Sequence, residues 1–90
     1  MKIIFDKNKL PSDMRGYTHI DRATVGIADW QKSEERLDTT IHELLEVFVT
    51  QNRWRWEGGH EQLSGIATFL GIALTKLGCK IDRFPKEIEV

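Results

Sequence analysis

Cysteine is nearly absent: Cys79 is the single one in 90 residues. A lone thiol excludes an intramolecular disulfide and any cysteine-rich zinc knuckle, and it fits a reducing compartment. An excess of charge of either sign is missing as well. Lysine and arginine total 13 against 14 aspartates and glutamates, a formal net charge of -1. A chain held to nucleic acid through phosphate contacts usually carries a marked basic surplus, so that class is disfavoured. Long apolar runs are missing too. The longest nearly uncharged stretch, 63–75, is broken by Gly65 and Gly71 and falls short of the roughly 20 residues a helix needs to cross a bilayer. The opening Met1 to Asp6 reaches an acid after three apolar positions, too short for a signal-peptide core. There are no repeats and no low-complexity segments. The expectation is a soluble cytoplasmic protein with neither a membrane nor a nucleic-acid partner.

What is present describes an ordinary globular chain, 40% hydrophobic and 30% charged. Ninety residues leave no room for a second core, so a single domain over 1–90 is expected. A domain this small typically nets only about 3–5 kcal/mol from its core, so a bound metal or a partner subunit would add substantially.

Lys2 to Phe5 predicts a short strand, and the alternation around Ala23 to Ala28 predicts a second. Ser33, Glu34 and Glu35 open a helix in which Leu37, Ile41, Leu44, Leu45 and Phe48 recur at the spacing of one buried stripe. Gly58 and Gly59 break the chain. A second helix follows, with Leu63, Ile66, Ala67, Leu70, Leu74 and Leu77 on one face and Phe69 and Ile72 off it. That helix is apolar over more than half its girth, so it is buried on two sides or meets another chain, and a homodimer is one outcome. The expected fold is α+β: two long antiparallel helices, about 33–53 and 60–77, on a two- or three-stranded sheet with strands near 2–5 and 23–28. A charged tail, 80–90, follows. Trp30 is expected in the core, and Cys79 as a small packed side chain.

The chemistry concentrates in His42-Glu43-Leu44-Leu45-Glu46. Helical positions four apart differ by about 40° and roughly 6 Å of rise, so His42 and Glu46 can close on one ion with Glu43 beside them. Imidazole nitrogen and carboxylate oxygen are both ordinary zinc donors. The short connection turns the second helix back along the first and brings His60 towards the pair as a third donor, with Glu61 and His19 as alternatives. A zinc ion there would acidify a water, and Glu43 would serve as its base, which implies hydrolysis of an amide or a related bond. The same residues also fit a plain amphipathic helix with solvated charges.

The helix-borne H-E-x-x-H signature of zincin peptidases is matched at His42 and Glu43 and replaced by Glu at Glu46, an HExxE motif. Thr39-Thr40-Ile41-His42-Glu43-Leu44-Leu45-Glu46 and His60-Glu61-Gln62-Leu63, with Gly16 and the strand around Val25, resemble small phage- and prophage-associated zincin-like proteins over roughly residues 16–78. The resemblance implies a minimal zincin-like core, a zinc cofactor, a protein or peptide substrate, and the host-cell cytoplasm as location. It also implies His42, Glu46 and His60 as ligands and Glu43 as catalytic base of a metallopeptidase or a degenerate relative.

A second unusual segment, Arg53-Trp54-Arg55-Trp56, interleaves basic and aromatic residues at a helix end. Such a run can bind another protein's groove or stack on bases, and the plainer reading folds Trp54 or Trp56 over the helix pair as a lid with the arginines solvated. The rival reading is therefore a non-enzymatic interaction module, such as a phage-encoded inhibitor of a host system.

Overall fold

A computed structural model of the chain describes residues 1–6, 9–51 and 59–90. It is an α+β fold. Strand β1 is Lys2–Asp6, β2 Gly16–His19, β3 Thr24–Ile27 and β4 Glu87–Glu89, with helices α1 Ser33–Gln51 and α2 Gly59–Lys76. The strands form one mixed sheet in the order β2-β3-β1-β4. The central β1 and β3 are parallel, while β2 and β4 run antiparallel to their neighbours.

Alternation along the strands puts Ile3, Phe5 and Val25 on the covered face. Val47 and Leu44 of α1 close over them, and Phe84 stacks on Phe5 with ring centroids 5.4 Å apart. Helix α2 packs chiefly on α1 rather than on the sheet. Asp38 meets Gly71 and Thr68, whereas His42 meets Ser64 and His60, so the two helices run in opposite directions. The layers are sheet, α1, α2, with α1 in the middle.

Four strands among the described residues correct the expectation of two or three. The segment 80–90 is not merely a charged tail. It returns to the sheet as β4, with Ile88 opposite Ile3. Arg36 of α1 anchors that return by donating through Nη1 to the Ile81 carbonyl at 2.9 Å. The buried line of α1 also differs from the expected one. Thr40, Glu43 and Val47 are buried while Phe48 is exposed, because a helix between two layers hides more than one stripe. Trp30 is not a core residue; it is 44% exposed and its indole donates to the Pro11 carbonyl at 3.3 Å. Cys79 lies past α2 and is exposed.

The two mid-helix glycines of α2 differ in purpose. A Cβ on Gly71 would stand 3.2 Å from the Asp38 Cα and backbone nitrogen, so its hydrogen is what lets the helices touch. A Cβ on Gly65 would meet nothing within 4 Å. Alanine is favoured over glycine in a helix by about 1 kcal/mol, and overpacking a contact costs about 1–3 kcal/mol. Gly65→Ala is therefore expected to raise the melting temperature by roughly 4–8 °C, at the usual conversion for a domain of this size. Gly71→Ala is expected to lower it, and calorimetry of the two variants side by side checks the difference.

Candidate metal centre

The i, i+4 geometry of α1 brings His42 Nε2 to 3.1 Å from Glu46 Oε1. Helix α2 begins directly opposite and sets His60 Nε2 at 3.0 Å from His42 Nε2 and 3.6 Å from Glu46 Oε1. Among the described residues these are the side chains whose donor atoms converge on a common point. His42 is the most enclosed of the three and His60 the most open. Of the other candidates, Glu61 is exposed and outside the cluster. His19 is exposed and rests edge-on against the Tyr17 ring, centroids 5.0 Å apart, also outside it. Arg53, Trp54, Arg55 and Trp56 lie outside the described residues.

Two edges of this triangle are of hydrogen-bond length, and the third is longer. His42 Nε2 lies within reach of both Glu46 Oε1 and His60 Nε2, so a single N–H has to be shared between two acceptors. A single cation takes all three lone pairs at once. For an ion about 2 Å from each atom, the three separations subtend roughly 95–130°, around the tetrahedral value. Two imidazoles and one carboxylate with a fourth position open is an ordinary donor set for a catalytic zinc. Ser64 Oγ lies 3.4 Å from His42 Nδ1, on the side of the ring away from the cluster, where it biases the ring's orientation and tautomer.

Glu43 faces the other way around α1, towards β2. It is 6% exposed, and its Oε2 accepts a hydrogen bond from Thr18 Oγ1 at 2.6 Å. The carboxylate passes over Gly16, where a Cβ would lie 3.3 Å from Glu43 Cγ, 2.7 Å from Thr39 Cγ2 and 2.8 Å from the Gly26 carbonyl. No side chain fits there without moving backbone. Thr39 is fixed by donating to Gln31 Oε1 at 2.7 Å, and Gln31 in turn donates to the Arg15 and Ala28 carbonyls. Burial pushes the Glu43 carboxyl above its ordinary 4.5, and the Glu46 charge adds to the rise; the Thr18 hydrogen bond, His42 and His60 act against it.

A cleft of about 480 Å³ runs beside this group, with Gly16, Arg15, Asp38, His42, Glu43 and Ser64 in its walls. A second hollow, about 350 Å³, adjoins Glu46 and His60 on the far side. The contributions of Thr18 and Ser64 had no signal in the sequence, because each depends on which strand or helix lies opposite. Gly16 was visible only as a turn former. Comparison with known protein families, with curated proteins and with solved structures finds no match.

The raised Glu43 pKa has a stability consequence. A carboxyl that binds its proton more tightly when folded destabilises the fold as pH climbs above the ordinary value, and that loss is complete once pH exceeds the folded value. In metal-free protein, Glu43→Gln is therefore expected to melt above the wild type at pH 7. The gap should shrink as pH falls through the folded value towards 4.5 and stay closed below it, which thermal melts from about pH 7 to about pH 4 measure.

Proposed function

We propose that the chain is a zinc-binding, zincin-like hydrolase acting on peptide bonds, with His42, Glu46 and His60 as ligands and Glu43 as general base. The observation that carries this reading is the donor triangle, with edges of 3.0, 3.1 and 3.6 Å, whose three lone pairs a single cation can engage. A zinc ion held there supplies Lewis acidity and lowers the pKa of water towards neutrality. Glu43 stands on the cleft side of His42, and its hydrogen bond to Thr18 fixes one carboxylate oxygen while the other is left to take a proton. Its elevated pKa brings it closer to the working range of a general base.

The class of substrate follows from the rim of the cleft. Strand β2 is the outer strand of the described sheet and its Gly16 lines the cleft. An extended peptide can add to such an edge through main-chain hydrogen bonds and so lay an amide across Glu43. The layered arrangement of sheet, motif-bearing helix and antiparallel second helix supports the likeness to a minimal zincin core. The origin implied by the resemblance, in phage or prophage, belongs to the same reading.

Protein purified without added metal, or reconstituted and dialysed, is expected to carry close to one zinc per chain by elemental analysis, and His42→Ala to carry almost none. Zinc at about 100 times its dissociation constant stabilises by about 2.7 kcal/mol, a rise in melting temperature of roughly 10–20 °C, absent in His42→Ala. Zinc content far below stoichiometric in the wild type, unchanged by that substitution, defeats the metal site. Glu43→Gln should retain the metal while cleavage of a quenched-fluorescence peptide library falls about 10²–10⁴-fold. Cleavage undiminished in that variant defeats the hydrolase.

A further inference from the structure

Helix α2 is the more apolar helix and the less covered one. Among the described residues it packs chiefly on α1, through Leu63, Ala67 and Gly71. On the opposite side Phe69 is 71% exposed and Ile72 41%. At about 100° per residue, Gln62, Gly65, Ile66, Ile72, Ala73 and Lys76 all lie within roughly 60° of Phe69. Burying this face needs a partner, and the face itself specifies which one.

Its residues are arranged symmetrically about Phe69. Gly65 and Ala73 stand four positions to either side, Ile66 and Ile72 three, and Gln62 and Lys76 seven. We propose that α2 pairs with α2 of a second copy of this chain, antiparallel, about a two-fold axis through Phe69. Such an isologous contact sets each residue against the position equally far on the other side of the axis. Phe69 meets the partner's Phe69, isoleucine meets isoleucine, and the small Gly65 faces the partner's Ala73, which permits close approach of the backbones. The charges agree with the same register. Glu61 near the start and Lys76 at the end are the acid and the base of α2. Antiparallel pairing places each Glu61 beside the partner's Lys76, whereas parallel pairing sets like charges together.

One helix face about 27 Å long is small for a protein interface, so the dimer is weak and concentration-dependent. The surface is independent of the proposed hydrolase: His60 points to the side of α2 opposite Phe69, and the metal centre stays open in the pair.

Sedimentation equilibrium from micromolar to millimolar concentration tests the pairing. Wild type is expected to pass from monomer to dimer over that range, and Phe69→Glu to stay monomeric with an unchanged circular dichroism spectrum and zinc content. Glu61→Lys is expected to weaken the dimer, and Glu61→Lys with Lys76→Glu to restore it. In a Cys79→Ser background, which removes the exposed native thiol, Phe69→Cys is expected to form a disulfide-linked dimer on mild oxidation and Gln62→Cys none. A wild type monomeric at every concentration, a Phe69→Glu variant that associates as the wild type does, or ready self-crosslinking of Gln62→Cys would each overturn the proposal.

Discussion

Helix α1 is held from both sides at backbone distance, and the site depends on that confinement. On one side Gly16 of β2 lets Thr39 and the Glu43 stem lie directly on the sheet edge; on the other Gly71 of α2 lets the Asp38 backbone touch the second helix. Two missing methyl groups therefore set the spacing of three layers. Because α1 turns through about 100° per residue, neighbouring residues in the motif face different layers. His42 turns to α2, where Ser64 and His60 meet it, and Glu43 turns to β2, where Thr18 meets it. Ligand and base are separated by one residue in sequence and by the full change of surroundings in space.

That division has an energetic cost which a well-packed structural helix would avoid. A carboxylate that is 6% exposed is destabilising unless its partners compensate, and Thr18 is the direct hydrogen-bond donor recorded for it. The donor triangle adds a second polar cluster within electrostatic reach of it. Both lie in a small domain whose core is drawn from Ile3, Phe5, Ala23, Val25 and Val47. A cation bound as proposed would act on both: it would engage the three lone pairs, and its charge would favour the ionised form of the nearby carboxylate.

Much of this was legible in the sequence, and the illegible part has physical causes. The nearness of His42 and Glu46 follows from helical periodicity alone, and His60 followed from a connection too short to do anything but reverse direction. Helix α1 opens at Ser33 and α2 closes at Lys76. Strand β2, with the sequence Gly-Tyr-Thr-His, lacks the apolar alternation that marks a half-buried strand, since only its contact with α1 is covered. Strand β4 is a three-residue Glu-Ile-Glu pairing held by Arg36 and by Ile88 against Ile3, contacts from residues distant in the chain. The buried line through Thr40, Glu43 and Val47 escaped because two of its three members are polar, and hydropathy cannot distinguish a carboxylate aimed at a sheet from one aimed at water. Trp30 went astray for the converse reason: an aromatic ring in a turn can spread over its own loop, with the indole satisfied by the Pro11 carbonyl.

If the proposed metal binds, glutamate at position 46 would set the electrostatics of the whole centre. Three neutral imidazoles leave a divalent ion its full charge, whereas two imidazoles and a carboxylate halve it. A less positive centre acidifies water less, so the group that removes the proton must be a stronger base. Glu43 is altered in that direction, since burial and the Glu46 charge itself both raise its proton affinity. On the proposed reading Glu46 would moderate the charge of the ion, while burial, which a bound cation does not remove, would keep Glu43 basic. Under the proposed function, Glu46 would retune the centre rather than abolish it.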